Sequence, residues 1–439
     1  MSPQSEQAEA QAVQLLSGAG AEHALATVAR AAQLHLPGAT GSSLRPGSWR
    51  LVQLNHRPGA GVTGSFAVTV DRRPSELAPH RGLHPGEVMV CLSTAAMPPD
   101  AQVSSIQWEG VPFAAWLWPQ DPWLPGLRAA AAPVPQLVGN TPLRSVPVGY
   151  RPTRRAVFRV LTDLSAPPLP STHQTHQPHH DDDRPIAYIK VVRPQRETDL
   201  VSRHNILAAA HVPVPHVLSA TGDGAVALAH VKGPTAAQVF TTGVGRFPDP
   251  EHLVALLDRF PAQVMTLPVR LSWSDRVLDH ARSACNALPN ERGRVQSLAQ
   301  KVHAVCGSSG DIELVPTHGD FHPGNVILGP HPVDPALGPI TGLLDLDNVG
   351  PGQLSDDLAC YLAHLWALTA GRWSPTDLNT ARIHTEVFEE LVEPTELRAR
   401  TAGVLLSLIA VTARRGGQRA ARQCLELAET ILQGRGPSL

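Results

Sequence analysis

Lysine is almost missing from this chain of 439 residues: Lys190, Lys232 and Lys301 are the only three, and arginine carries nearly all of the positive charge. A charge needed only at the surface is met as well by arginine, so each lysine that persists asks for a reason. Cysteine is scarce and scattered. Cys91, Cys285, Cys306, Cys360 and Cys424 are odd in number and form no CxxC pair, which speaks against a disulfide frame or a zinc site and fits reduced thiols in a cytosol. Long apolar runs are absent as well. The strongest late one, Val404 to Val411, falls far short of a membrane span, and the opening "MSPQSEQAEAQAVQLL" has no basic start followed by an apolar core. A cytoplasmic protein without a membrane partner is therefore expected. No excess of one charge appears either: the formal net charge is -2 and the pI near 6.9, so no nucleic-acid footprint is read. What remains, 42% hydrophobic and 17% charged over this length, is enough for two or three globular domains.

Residues 4 to 35 read as one or two helices, because Ala, Leu and Val recur at three- and four-residue spacing, and a Gly/Ser/Pro stretch from Pro37 to Ser48 ends them. Strand-like runs follow at Leu51 to Leu54, Ser65 to Val70 and Val88 to Leu92. The proline-broken "FAAWLWPQDPWLPGL" cannot be one helix, and its Trp116, Trp118 and Trp123 are expected to be packing anchors between lobes. A weak echo links residues 51–70 with 146–161: each has an apolar strand, an Arg-Pro turn and a second strand. "PPLPSTHQTHQPHHDDDRP", 167–185, has no apolar periodicity and reads as a disordered loop whose histidines lack the fixed backbone a catalytic metal needs. Beyond "IAYIKVV", helix patterns dominate, at 251–267, 271–287, 291–306, 355–370, 376–393, 395–414 and 417–432. Strands first and helices later predict two lobes of different class with a cleft between them.

The stretch "THGDFHPGNVIL", 317–328, sets Asp320 five residues before Asn325, and "GLLDLDN" brings Asp345 after a hairpin-like segment. Phosphoryl transfer calls for such a set: a carboxylate beside the attacking hydroxyl, and oxygen ligands on a rigid support for a divalent ion that bridges nucleotide phosphates. His322, inside the same loop, reads as a packing residue.

"HGDFHPGN" together with "LLDLDNVGPGQLSDDLA" resembles the aminoglycoside phosphotransferase and choline kinase-like family, strongest over 315–365 and extending over about 145–430. The resemblance implies an α+β, two-lobed protein-kinase-like fold: a small β-rich N-lobe, a larger helical C-lobe and here an additional N-terminal α/β cap region. The domains would run 1–140 (cap or extension), 141–235 (N-lobe) and 236–439 (C-lobe). It implies an ATP-dependent transfer to a small-molecule hydroxyl with Mg2+. Asp320 would be the catalytic base, His318 a shaper of the catalytic loop, Asn325 and Asp345 the metal ligands. Asp357 would brace the loop and cap the next helix, with Asp347 as a second acid beside Asp345. Leu346 stands where the family more often has Trp or Phe.

A kinase reading also needs a strand lysine paired with a helix acid. Lys190 in "IAYIKVV" meets the first need. Glu197 opens the next helix as its expected partner, with Asp199 as rival. Arg155, in a hairpin without glycine, would touch phosphate, and the main chain of Ala229 and Val231 in "ALAHVKGPTA" would meet adenine. The acids Glu386, Glu389, Glu390, Glu393 and Glu396 spread around a helix and are followed by arginines, which favours a neutral acceptor, a sugar among them, over a polycation. A resistance kinase for aminoglycosides or macrolides, a maltokinase-like enzyme, and a nucleotide-binding pseudokinase or regulatory module are the alternatives. The oligomeric state is not legible.

Overall fold

The computed structural model describes residues 3–31, 46–57, 59–70, 83–84, 86–131, 144–161, 185–308, 313–330, 334–370 and 374–434. The His/Asp-rich segment lies outside these apart from Pro185, as does most of the Pro37 to Ser48 stretch. Two compact units result: Met1–Val201 with Val217–His230, and Ser202–His216 with Val231–Leu439.

The first unit opens with α1 (Pro3–Ser17) and α2 (Ala21–Ala31), followed by β1 (Pro46–Arg57), β2 (Gly61–Val70), β3 (Glu87–Ser93), β4 (Ser104–Trp108) and β5 (Val111–Leu117). These strands form an antiparallel sheet in the order β1-β2-β3-β5-β4. A short α3 (Leu127–Ala130) leads to a second antiparallel sheet, built from β6 (Arg144–Arg151), β7 (Arg155–Leu161), β8 (Pro185–Val192), β9 (Val217–Ala220) and β10 (Ala225–Ala229) in the order β6-β7-β8-β10-β9; α4 (Glu197–Ala209), between β8 and β9, passes into the second unit from Ser202. Both sheets therefore have the same strand order, and the two hairpins of the sequence echo, β1-β2 and β6-β7, hold equivalent edges.

All seven residues of β3 are buried because both of its faces are covered. Alternation sends Val88, Val90 and Leu92 to the side of α1 and α2, with Leu16, Leu25 and Phe66. Met89 and Cys91 go to the other side, against Phe158, Ile189 and Val191 of the second sheet. Trp116 and Trp118 are fully buried in that inter-sheet core, Trp118 edge-on to Tyr150 at 4.6 Å between centroids. Burial of side chains of this size contributes on the order of 2–3 kcal/mol each. Trp116 and Trp118 thus anchor one sheet to the other, whereas Trp123 is only half-buried.

In the second unit, α5 (Ala236–Thr242) starts with a capping box of Thr235 and Gln238. Then come α6 (Pro250–Leu257), α7 (Val277–Ala287), α8 (Arg292–Ser308), β11 (Val315–Thr317), β12 (Val326–Leu328), β13 (Ile340–Leu343), β14 (Gly350–Gly352), α9 (Leu354–Thr369), α10 (Pro375–Leu391) and α11 (Pro394–Leu432). Their apolar faces share one core, with Leu298, Val302, Tyr361, Leu365, Leu405 and Leu425 in it. Two of the helices expected from periodicity are shorter than expected. The first ends at Leu257 with Pro261 close behind, and only a 3-10 turn at Ala262–Thr266 follows; α7 does not begin until Val277. The last two expected helices run as one, interrupted at Gly417, whose φ of 76° leaves helical space.

Candidate active site

β11 pairs antiparallel with β14, Val315 opposite Gly352 and Thr317 opposite Gly350. β12 pairs with β13, Val326 opposite Leu343. The segment His318 to Asn325 leaves the first ribbon and enters the second, and Asp345 follows β13, so the two short ribbons fix both ends of the loop. Asp345 itself has φ 59° and ψ 59°, a left-handed conformation unusual for a residue with a side chain and frequent at functional sites.

Asp357, in the first turn of α9, holds the loop. Its Oδ2 accepts the N–H of His318 at 2.6 Å and its Oδ1 that of Gly319 at 2.8 Å. Complete burial raises its pKa to about 7 against the lowering effect of those two bonds. The N-cap of α9 is Gln353, not Asp357; with both oxygens given to the loop, Asp357 has none for the helix end. Gly319 has φ +75°, and a Cβ there would lie 2.6 Å from the Asn348 carbonyl oxygen, so the middle residue of His-Gly-Asp admits no side chain.

His318 is fully buried, and burial lowers its pKa to about 4. Its Nδ1 accepts the Asp320 N–H at 3.2 Å, which leaves Nε2 to donate to the Leu344 carbonyl at 2.9 Å. A neutral ring thereby ties the backbone of Asp320 to the residue preceding Asp345.

The side-chain Nδ2 of Asn325 donates to the main-chain carbonyl of Asp320 at 2.9 Å, and its own backbone amide donates to the His322 carbonyl at 2.8 Å. The Leu344 amide donates in turn to the Asn325 carbonyl at 2.8 Å. Because the side-chain nitrogen is used inward, Oδ1 is the atom left to act as an oxygen ligand. Asp347 sits half-buried in the 3-10 turn Leu346–Asn348 that follows Asp345, and Leu346 is fully buried in the core.

Two residues near the loop were not singled out from the sequence, Cys360 and His364. The Cys360 thiol donates to Asp320 Oδ1 at 3.9 Å, and burial together with that carboxylate pushes the thiol well above its ordinary pKa. His364 stacks on the loop residue His322 with 4.4 Å between centroids and 14° between planes. Burial lowers the pKa of His322 while Asp320 and Asp345 oppose that shift, and burial pushes His364 down to about 3. Asp357, Cys360 and His364 recur at three- and four-residue spacing on α9, so helical periodicity starting from Asp357 is the signal that would have found them.

The remaining expected residues belong to other elements. Lys190 is buried in β8, opposite Val157 on one side and Val226 on the other, and alternation points it away from Ile189 and Val191. Glu197, expected beside it, has both oxygens engaged elsewhere: Oε1 accepts the Gly222 N–H at 2.6 Å and Oε2 that of Gly224. Glu197 thus fastens the β9-β10 turn, because two convergent amides satisfy a buried carboxylate. Arg155 begins β7. Ala229 ends β10, and Val231 precedes Gly233, whose φ of +133° and close approach to the Leu328 carbonyl exclude a side chain.

All the ligands offered by Asn325 and Asp345 are hard oxygens, which fits Mg2+. Among the described residues no group of three or more His, Cys, Asp or Glu gathers to hold a metal. Magnesium needs no such cage when one or two protein oxygens and phosphates complete its shell. A cavity of about 220 Å3, with Leu362, Trp366, Glu389 and Arg398 in its wall, abuts the opposite face of α9 and shares no residue with the loop.

One short segment thus brings together a His-Gly-Asp loop held by Asp357, an asparagine bonded to the Asp320 backbone and a left-handed aspartate after a hairpin. Residues 144–386 match the model of the phosphotransferase enzyme family, more than half of the chain, and the protein belongs to that family of small-molecule kinases. Among solved structures it is similar to a thermostable mutant of aminoglycoside phosphotransferase APH(4)-Ia in ternary complex with AMP-PNP and hygromycin B, at 13% identity and TM-score 0.43, covering 67% of this chain and 94% of that one. A choline kinase from Cryptosporidium parvum gives 10%, 0.41, 66% and 90%, and a Plasmodium vivax ethanolamine kinase 12%, 0.39, 66% and 84%, in the same order. No curated protein matches the sequence. The family match, and not these distant likenesses, places the chain.

Proposed function

We propose that the enzyme moves the γ-phosphate of ATP to a hydroxyl of a small, weakly charged metabolite, with sugars the foremost class. The observation that carries the reading is the Asp357-braced loop in which His318 and Asn325 both bond to the backbone of Asp320. Asp320 orients the acceptor hydroxyl and takes its proton as the oxygen attacks the γ-phosphorus; the bond to the β-phosphate oxygen breaks and ADP leaves. Asn325 Oδ1 and the Asp345 carboxylate would hold Mg2+, which neutralises phosphate charge when bound. Lys190 and Arg155 are assigned to the phosphates and the main chain of Ala229 and Val231 to adenine. Glu197 serves this set by holding the β9-β10 turn, and Asp199, also in the first turn of α4, is assigned to Lys190. Asp347 supports the turn after Asp345. The division into a cap (1–140), N-lobe (141–235) and C-lobe (236–439) is part of the same reading.

The choice of acceptor class rests on the late acids. Arg382 binds Glu386 at 2.9 Å, and Arg398 binds Glu389 through two bonds of 2.6 and 2.9 Å. Glu393 accepts the amides of Thr395 and Glu396, and Arg400 binds Glu396 at 2.7 Å. Carboxylates already matched in this way add little field to attract a polycation.

Among the described residues no helix is long and apolar enough to cross a membrane, and all five cysteines are free thiols. A cytoplasmic setting with ready ATP suits both facts. The test is ADP release above an acceptor-free blank with sugars, amino alcohols, aminoglycosides and macrolides, run beside Asp320→Ala. A sugar-dependent signal lost in the variant supports the reading. A signal confined to aminoglycosides would overturn the acceptor class, and magnesium-ATP binding without transfer to any acceptor would favour a nucleotide-binding module.

A further inference from the structure

Thr153 stands at the tip of the β6-β7 hairpin, buried, with φ 64°. The Arg154 N–H donates to the Arg151 carbonyl at 3.0 Å, so Pro152 and Thr153 are the central residues of a four-residue turn. A positive φ at the second central position ordinarily calls for Gly or Asn, and a β-branched residue there costs on the order of 1–3 kcal/mol unless its surroundings impose it.

The surroundings are specific. Asp121 Oδ2 accepts the Thr153 N–H at 2.7 Å and the Tyr150 hydroxyl at 2.7 Å, and Oδ1 accepts the Trp123 N–H at 2.9 Å. The Tyr150 oxygen in turn accepts Trp116 Nε1–H at 3.2 Å. On the other side of the residue, Arg193 Nε donates to the Thr153 carbonyl at 2.8 Å while its guanidinium lies over the Trp123 ring, 4.0 Å from the centroid. Both peptide groups of Thr153 are therefore held by side chains. Burial raises the Asp121 pKa, and the bonds from Thr153, Tyr150 and Trp123 and the charge of Arg193 oppose that shift.

Asp121, Trp116 and Trp123 all precede residue 144, where the family match begins. A part of the chain outside the family pattern thus shapes a turn inside it, the turn that leads into Arg154 and Arg155.

We infer that Asp121 is a positioning residue of the nucleotide site, imposing the left-handed conformation of Thr153 and so directing Arg154 and Arg155 to the phosphates. This rests on the functional reading above, in which the hairpin tip faces phosphate. It gives the N-terminal extension a role in the chemistry: a buried carboxylate takes the place of the glycine that such a turn would otherwise require.

The test is calorimetric titration of the full-length protein with magnesium-ATP, for wild type, Asp121→Ala, Asp121→Asn, the double variant Asp121→Ala/Thr153→Gly, and Val62→Ala. Val62 is buried in the core between the first sheet and its helices, remote from this network in its contacts, and measures the effect of lost stability alone. Asp121→Ala is expected to weaken binding at least tenfold and Asp121→Asn, which retains one acceptor oxygen, by about threefold. Glycine at 153 adopts the turn unaided, so the double variant should return to within about threefold of wild type. Val62→Ala should bind as wild type does despite a lower Tm. Should Asp121→Ala fail to fold, Asp121→Asn carries the comparison. Wild-type binding matched by both Asp121 variants overturns the inference alone, as does an equal loss in Val62→Ala. No binding by the wild type overturns the reading of the site itself.

Discussion

The side-chain amide of Asn325 donates to the main-chain carbonyl of Asp320 at 2.9 Å. The five-residue spacing of these two residues is the length of loop that lets the backbone of one orient the side chain of the other. Oδ1 of Asn325 is then presented without rotation, and in the metal-holding role proposed for it an oxygen already fixed in place loses less entropy on binding.

Asp320→Ala is expected to lower kcat by about 10²–10⁴-fold, the usual contribution of a positioned base. Its carboxylate is not assigned to the nucleotide, so magnesium-ATP affinity should stay within a few-fold of wild type. A kcat within tenfold of wild type would remove Asp320 from the chemistry.

Asn325→Ala and Asp345→Ala should each weaken nucleotide binding when magnesium is present and change it little when the ion is chelated. Calorimetry with and without a chelator separates the two conditions. Equal losses in both would mean that these side chains contact something other than the metal.

Gly319→Ala places a Cβ 2.6 Å from the Asn348 carbonyl oxygen on a backbone of φ +75°. Destabilisation on the order of 1–3 kcal/mol from the backbone conformation alone is expected, with transfer activity lost as the loop shifts. Thermal unfolding and the acceptor assay test the two effects separately; an unchanged Tm would show that the loop adapts.

Buried titratable groups set a pH dependence in the absence of nucleotide and metal. His318 and His364 have folded-state pKa values lowered to about 4 and about 3, so between those values and about 6.5 the unfolded chain binds more protons and stability falls as pH falls. Asp357, raised to about 7, acts in the opposite sense: the folded state binds more protons between about 4 and 7, and stability falls as pH rises through that window. The two histidines outweigh the one carboxyl, so Tm should drop between pH 7 and pH 5. Asp357→Asn removes the opposing group and should make that drop steeper, as calorimetry at several pH values would show. A shallower drop would place the proton elsewhere.

The loop was legible as a candidate because its residues are local. Asp320, Asn325 and Asp345 lie within 26 residues of chain, and their order and spacing are printed in the sequence. The helices of the second unit were legible where apolar residues recur every three or four positions, and misjudged where Pro261 and the residues before Val277 break the backbone without breaking the composition. The amide bonds of Glu197 were not legible because an acid in a first helical turn has the same sequence context whether it meets a lysine or two turn amides. Cys360 and His364 were passed over because a buried thiol and a buried imidazole read as packing until a neighbour is known.

By itself the sequence determined the family and the run of helices in the second unit, and it supplied the residues proposed to move a phosphate, since each depends on spacing along the chain. Only the tertiary structure decided which amides Asp357, expected to brace the loop, holds, that two sheets share one strand order and one core, and that Asp121 reaches Thr153. Those contacts join residues about thirty or more positions apart, and a buried polar group takes whichever partner folding brings to it.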